Sequence, residues 1–445
     1  MTVLLGAGLA AIGAARLFGL APAISAAAVA PPTTESDSPP LAPPFGAVGS
    51  AGCSSAACHG GSIASLAAPL HSHAWSFAAT QCLTCDPHRR AYAALETPLA
   101  NQIMRRMHPS AKQESPATED VRCLACHTNP SLAKPSRQLP ELEIIVRREG
   151  VGCESCHGNG QKYLHAHTTW TAANRPGGYQ ATGMTRLYDL GERALVCAGC
   201  HLGAPAEPER GYFVPRDMNH DMIASGHPRL NFDFADSQHR LPPHWLERDR
   251  ATGAPAKPEF EVKAWLVGRA AQAEAAERLH QDRFQRHANE PSAPWPEFAE
   301  SNCYSCHHQL LPEGWNQKSP TTGLGLAPRQ TLWPLTNPNL VAALKGKAPN
   351  KLTDAEVLAV VKRLLVDLYQ REAIADWDTA CQVFHAAAAY ERYRIRATDD
   401  RSNPAFEAVL ARLRLPQTKG TGSYRSPVSF KPVEAMTELK KLLPR

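Results

Sequence analysis

The chain has 445 residues, enough for two or three ordinary domains, and 43% of them are hydrophobic, enough for a globular core. Aromatic residues make up only 7% while prolines number 38, a balance that suits an interior filled partly by something other than side chains. The formal charge of +5 is mild and no basic stripe is concentrated anywhere, which excludes nucleic acid as an implied partner.

Residues 1–30 read as an export signal. Val3 to Ala15 is apolar, Arg16 interrupts, and Leu17 to Ala30 is apolar again, with Ala26, Ala28 and Ala30 small enough for a cleavage site. The alternative is an uncleaved N-terminal membrane anchor, against which a mid-span arginine counts. No later stretch of about 18 consecutive apolar residues follows, so no further span is expected. Residues 31–46, rich in Pro, Ser and Thr, read as a flexible tether.

The region 47–310 carries the chemistry. Cys123, Cys126 and His127 form a Cys-x-x-Cys-His run, repeated as Cys153/Cys156/His157, Cys197/Cys200/His201 and Cys303/Cys306/His307. Two thiols at i and i+3 can add across the two vinyl groups of a haem, and the histidine that follows then lies beneath the iron as its proximal ligand. With 13 Cys and 19 His in the chain, random placement would give roughly 0.02 such runs. An earlier site, Cys53 and Cys58 followed by His59, spaces its thiols two residues further apart but keeps the histidine directly after the second, and it is read in the same way. Zinc knuckles also use paired cysteines, but zinc chemistry does not require a histidine after every second one. The expected cofactor is therefore covalent haem c, about five per chain. Ferric haems contribute about −1 each through their propionates, which brings the loaded protein close to neutral.

Cys82-Leu83-Thr84-Cys85 is followed by Asp86, not histidine, so it is expected to carry no haem and is free to close a short disulfide. A long helix is predicted from Glu259 to about Asn289. Residues 311–445 form a helical supporting subdomain. Thr353 and Glu356 make a capping box ahead of Val357, Leu358, Val361, Leu364, Leu365 and Leu368 on one face, and further helices begin near Asp376 and after Asn403-Pro404. Cys381 and His385, four residues apart, read as packing residues of the middle helix and not as a metal pair.

Five proximal ligands leave fourteen histidines, and His/His ligation needs one more per iron. His73, His88, His167, His220 and His227 stand in aromatic, Pro or Gly contexts that could fix their geometry, whereas His239, His244, His280 and His287 read as ordinary surface residues. Methionine is the competing axial ligand, with Met104, Met107, Met218 and Met222 available, but histidine is far more plentiful near the motifs.

Glu149 to Gly158 (Glu-Gly-Val-Gly-Cys-Glu-Ser-Cys-His-Gly), Cys197 to Pro205, Asn219-His220-Asp221 with Gly226 to Leu230, and Cys303 to His308 resemble multihaem cytochromes of the cytochrome c-554 type over roughly residues 48–310. The resemblance implies a mainly α fold with little regular sheet, in which short helices and loops wrap around closely packed haem pairs that relay electrons in the periplasm. It makes His88, His167, His220 and His227 the distal choices, with His73 next, although some relatives keep one five-coordinate haem. The fifth motif and the long helical tail depart from the small tetrahaem members.

The expected function is electron transfer between redox partner proteins. An oxidoreductase using one open iron on a small nitrogen or sulfur compound is the alternative, and a docking subunit of a membrane quinol-linked complex is the third.

Overall fold

The computed structural model describes residues 46–61, 74–109, 115–228, 232–242, 244–245, 247, 256–301, 347–374, 377–399, 403–405, 408–409 and 431–444. Among these residues every regular element is helical, and extended backbone pairs in two isolated antiparallel bridges, Ala204 with Arg216 and Glu207 with Tyr212. The fold is mainly α.

Local chemistry sets where the short helices start. Helix α1 (Ala78–Cys85) precedes α2 (Pro98–Met107), which has proline at its first position and the Thr97 hydroxyl accepting from the Ala100 N–H. Asp120 caps α3 (Val121–His127) by accepting from the Arg122 N–H at 2.9 Å. Four short helices follow, α4 (Glu141–Arg147), α5 (Cys153–His157), α6 (Tyr163–Ala166) and α7 (Arg175–Thr182). Asp189, Asn219 and Asp233 then cap α8 (Leu190–His201), α9 (His220–Ala224) and α10 (Phe234–Arg240) with their side-chain oxygens. Three of these helices, α3, α5 and α8, end on a motif histidine, so each Cys-x-x-Cys-His run occupies a last helical turn.

The predicted long helix is present as α11 (Phe260–Asn289). Val262, Trp265 and Leu266 are fully buried at its start, against Ala194 and Ala198 of α8 and Phe234 of α10. Gly268 permits the approach of α10, since a Cβ there would lie 2.5 Å from that of Phe234. The tail supplies the opposite wall. Helices α12 (Asp354–Tyr369), α13 (Trp377–Thr398) and α14 (Pro432–Leu439) bring Val361, Leu365, Val383, Phe384, Met436 and Leu439 into the same core. Each such side chain, fully buried, stabilises the fold by about 1.5–3 kcal/mol. The capping box of Thr353 and Glu356 is formed, and Cys381 is a buried core residue of α13. His385 lies 4.0 Å from the Asp236 carboxylate. A smaller core of Tyr92, Leu95, Met104 and Leu124 lies under α3.

No helix among the described residues is long and apolar enough to cross a membrane. The N-terminal segment 1–30, the tether, His73, the fifth motif at Cys303, Cys306 and His307, and most of the helix expected after Asn403 lie outside the described residues.

Candidate functional site

The four described motifs open on one cavity of about 2230 Å³, more than twice the volume of an ordinary small-ligand pocket. Cys53, Cys58, Cys123, Cys126, Cys153, Cys156, Cys197 and Cys200 all line it, with Leu95, Ile103, Met104 and Phe232 among its apolar walls.

Each of the four motif histidines faces a second histidine across this space. His59 and His167 have ring centroids 6.1 Å apart, His127 and His227 6.2 Å, His157 and His244 6.4 Å, and His201 and His88 5.9 Å. Two imidazole nitrogens bound on opposite sides of one metal at about 2 Å each would put their ring centroids about 6 Å apart. The rings are also held by their other nitrogen. Nδ1 of His127 donates to the Ala91 carbonyl at 2.7 Å, that of His167 to the Tyr163 carbonyl at 2.7 Å, that of His227 to the Pro228 carbonyl at 2.9 Å and that of His88 to the Asp86 carboxylate at 2.8 Å. With Nδ1 carrying the proton, Nε2 presents its lone pair for ligation. Burial, and secondarily the facing His244, pushes His157 down to about 4; burial and the facing His88 do the same to His201. Both are thus neutral, as a ligand must be.

His244 was expected at the surface, and the structure places it opposite His157 instead. Its setting, Pro242-Pro243-His244-Trp245, is of the same Pro and aromatic kind that singles out His88 and His167, and that signal could have found it. His220 stands at the start of α9, edge-on to Phe298 at 5.9 Å, with its backbone N–H donating to Glu297 at 2.8 Å. The fifth motif begins a few residues beyond Phe298. Buried Arg283 ties Asp217, just before His220, to Glu300. His280 Nδ1 is 2.6 Å from the same Glu300 carboxylate, and His287 Nδ1 donates to the Ala293 carbonyl.

Motif neighbours that carry no ligand hold the site together. Glu154, inside the third motif, is buried and accepts from the Val48 and Gly49 N–H groups at 2.9 and 2.8 Å. Glu149 accepts from the Ser50 N–H at 2.9 Å and from its hydroxyl at 2.6 Å. These two carboxylates fasten the strip leading to Cys53 onto the third motif. Gly150 has φ 74°, and a Cβ there would lie 2.8 Å from the Arg89 carbonyl oxygen, so a side chain would push away the segment that carries His88.

The thiols also map which motifs are neighbours. The Cys153 thiol interacts with those of Cys53 and Cys82, and the Cys126 thiol with that of Cys200. Cys156 feels Cys197 and Cys200. Cys82 and Cys85 are both free, the first buried and the second exposed. The short disulfide open to that pair is not formed, and both residues are helical.

The cytochrome c554 and c-prime family matches residues 53–158 of this chain. Cytochrome c-554 of Nitrosomonas europaea is 25% identical over 151 residues, which cover 30% of this chain and 61% of that protein. The chain thus matches less than two thirds of the relative's length. No solved structure matches it. The similarity implies covalently bound haem c, and the site fits that group: thiols in pairs, imidazoles facing each other across a gap of one metal, and a large cavity between them.

Proposed function

We propose that this chain, a c-type cytochrome resembling the cytochrome c-554 family, transfers electrons through five covalently bound haems in the periplasm. When bound, the haems supply reversible one-electron oxidation and reduction of iron. The residues that would hold them are Cys53/Cys58 with His59 and His167, Cys123/Cys126 with His127 and His227, Cys153/Cys156 with His157 and His244, and Cys197/Cys200 with His201 and His88. Cys303/Cys306 with His307 and His220 complete the set.

The facing histidine pairs, 5.9 to 6.4 Å between ring centroids, carry this reading. With both axial positions of these four irons taken by protein, no position is left at them for a substrate, which favours a carrier over an enzyme. Thiol neighbours order the path: the first motif lies beside the third, the third beside the fourth, and the fourth beside the second. Residues 311–445 act as the supporting subdomain, through the core shared by α8, α11 and α12 to α14. The partners are redox proteins, a membrane quinol-linked complex being one such class. Residues 1–30 act as the export signal or as an N-terminal anchor, and 31–46 as its tether.

Intact mass should show five haems per chain, and the ferric protein should be wholly low-spin, with no spectral change when carbon monoxide is added to the reduced form. A high-spin signal from one iron in five, or a carbon monoxide shift of that size, would replace the carrier by an enzyme with one open haem.

A further inference from the structure

We propose that Arg216 raises the reduction potential of the haems at the second and fourth motifs, a fixed positive charge held where Cys126 and Cys200 meet. The inference rests on the reading that those cysteines carry haems.

Arg216 is 4% exposed and lies under the last turn of α8. Its Nε donates to the Gly199 carbonyl at 3.0 Å and its Nη2 to the Glu207 carboxylate, while Nη1 makes no hydrogen bond among the described residues. The position is built, not incidental. Gly199 stands between the fourth motif's two cysteines, and a Cβ there would lie 3.3 Å from Nη2 and 3.4 Å from Nε, so the residue between the thiols is small where the guanidinium sits. The bridges of Ala204 with Arg216 and of Glu207 with Tyr212 hold the segment, and the guanidinium is 5.0 Å from the Tyr212 ring centre. The charge of Arg216 acts on both Cys200 and Cys126.

The surroundings leave that charge in excess. Glu207 is shared by Arg216 and Arg278, the latter at 3.3 Å, and also feels Arg210, which lies 5.0 Å from the same tyrosine ring. Three guanidiniums around one carboxylate leave +2 among these four groups. At the other end of the array the sign reverses, since Glu149 and Glu154 both act on Cys53, with Arg89 offsetting them at 3.3 Å from Glu149. Reduction lowers the charge at an iron by one, so a nearby cation favours the reduced state and a nearby anion opposes it. Burial keeps salt from screening either effect. Asp86, 2.8 Å from His88 Nδ1, subtracts from this at the fourth motif but also acts on Cys156 of the third, so the charges still tilt the array, and electrons run downhill from the first and third motifs toward the fourth and second.

Spectroelectrochemical titration of the full-length holoprotein tests this. Peptide mass mapping comes first: haem must be found on fragments containing Cys123 to His127 and Cys197 to His201. Its absence would overturn the attachment reading itself, before any potential is measured. With haem present, Arg216→Met should lower the two highest-potential steps by at least tenfold in the reduction equilibrium, which is about 59 mV for one electron. Arg216→Lys should stay near wild type, and Glu207→Gln should move the same two steps upward. A purely structural role would make the Lys and Met variants alike and would not give Glu207→Gln the opposite sign. Either of those results, or a shift confined to the lowest-potential steps, overturns the proposal.

Discussion

His244 shows what decides ligation at the scale of one residue. Nothing in its own spacing pairs it with His157, 87 residues earlier in the numbering, yet the two rings face each other at 6.4 Å. Replacing His244 by Ala should leave the haem count unchanged and convert one iron to high spin, read by EPR as about one fifth of the total. A low-spin spectrum in that variant would strike His244 from the ligand set. The motif thiols and their histidines are legible from sequence because covalent addition to one haem demands neighbours in the chain. Facing histidines are not, because they arrive from distant loops: His88 from the turn after α1, His167 from the end of α6. Context marks most of them as candidates, and only folding assigns each to a motif. Arg216 has no sequence signature at all, since its role comes from lying against Gly199 and beside two motifs at once.

Among the elements, α11 links the motif helices to the tail. Its helical period was legible over nearly the whole of Phe260–Asn289, and so was the capping box of α12, because both depend on residues close in sequence. Which neighbours would cover its apolar face was not legible, because that depends on how α8, α10, α12 and α13 are brought together. Trp265 is fully buried at that junction. Trp265→Ala should cost about 3–5 kcal/mol, seen as a lowered denaturant midpoint with an unchanged slope. A loss under about 1 kcal/mol would mean that the α8–α11 contact contributes little to the fold.

For the whole molecule, buried ion pairs make stability depend on pH. Asp217 lies among Arg283 and Arg286; burial opposes its charge, but the two guanidiniums outweigh burial and hold its carboxyl below the usual range. Its pKa is thus lower folded than unfolded. The stabilisation is complete above the ordinary carboxylate range, near 4, and is lost as pH falls through the depressed value. Between about pH 6 and pH 2 the unfolding temperature of the wild type should fall more steeply than that of Asp217→Asn. Equal slopes would show that this pair does not couple protons to folding.

The carboxylate of Glu154 that fastens Val48 in place comes 106 residues after it in the chain. Polypeptides are made from the N-terminus at about 5–20 residues per second, so roughly 5 to 20 s pass between the synthesis of these two partners. For that interval Cys53 and Cys58 have no Glu154 to hold the strip before them and no His167 to face His59. On the proposed reading of Cys53 and Cys58, a haem attached within that interval would meet an unfolded chain, and Glu154 and His167 would close around it afterwards.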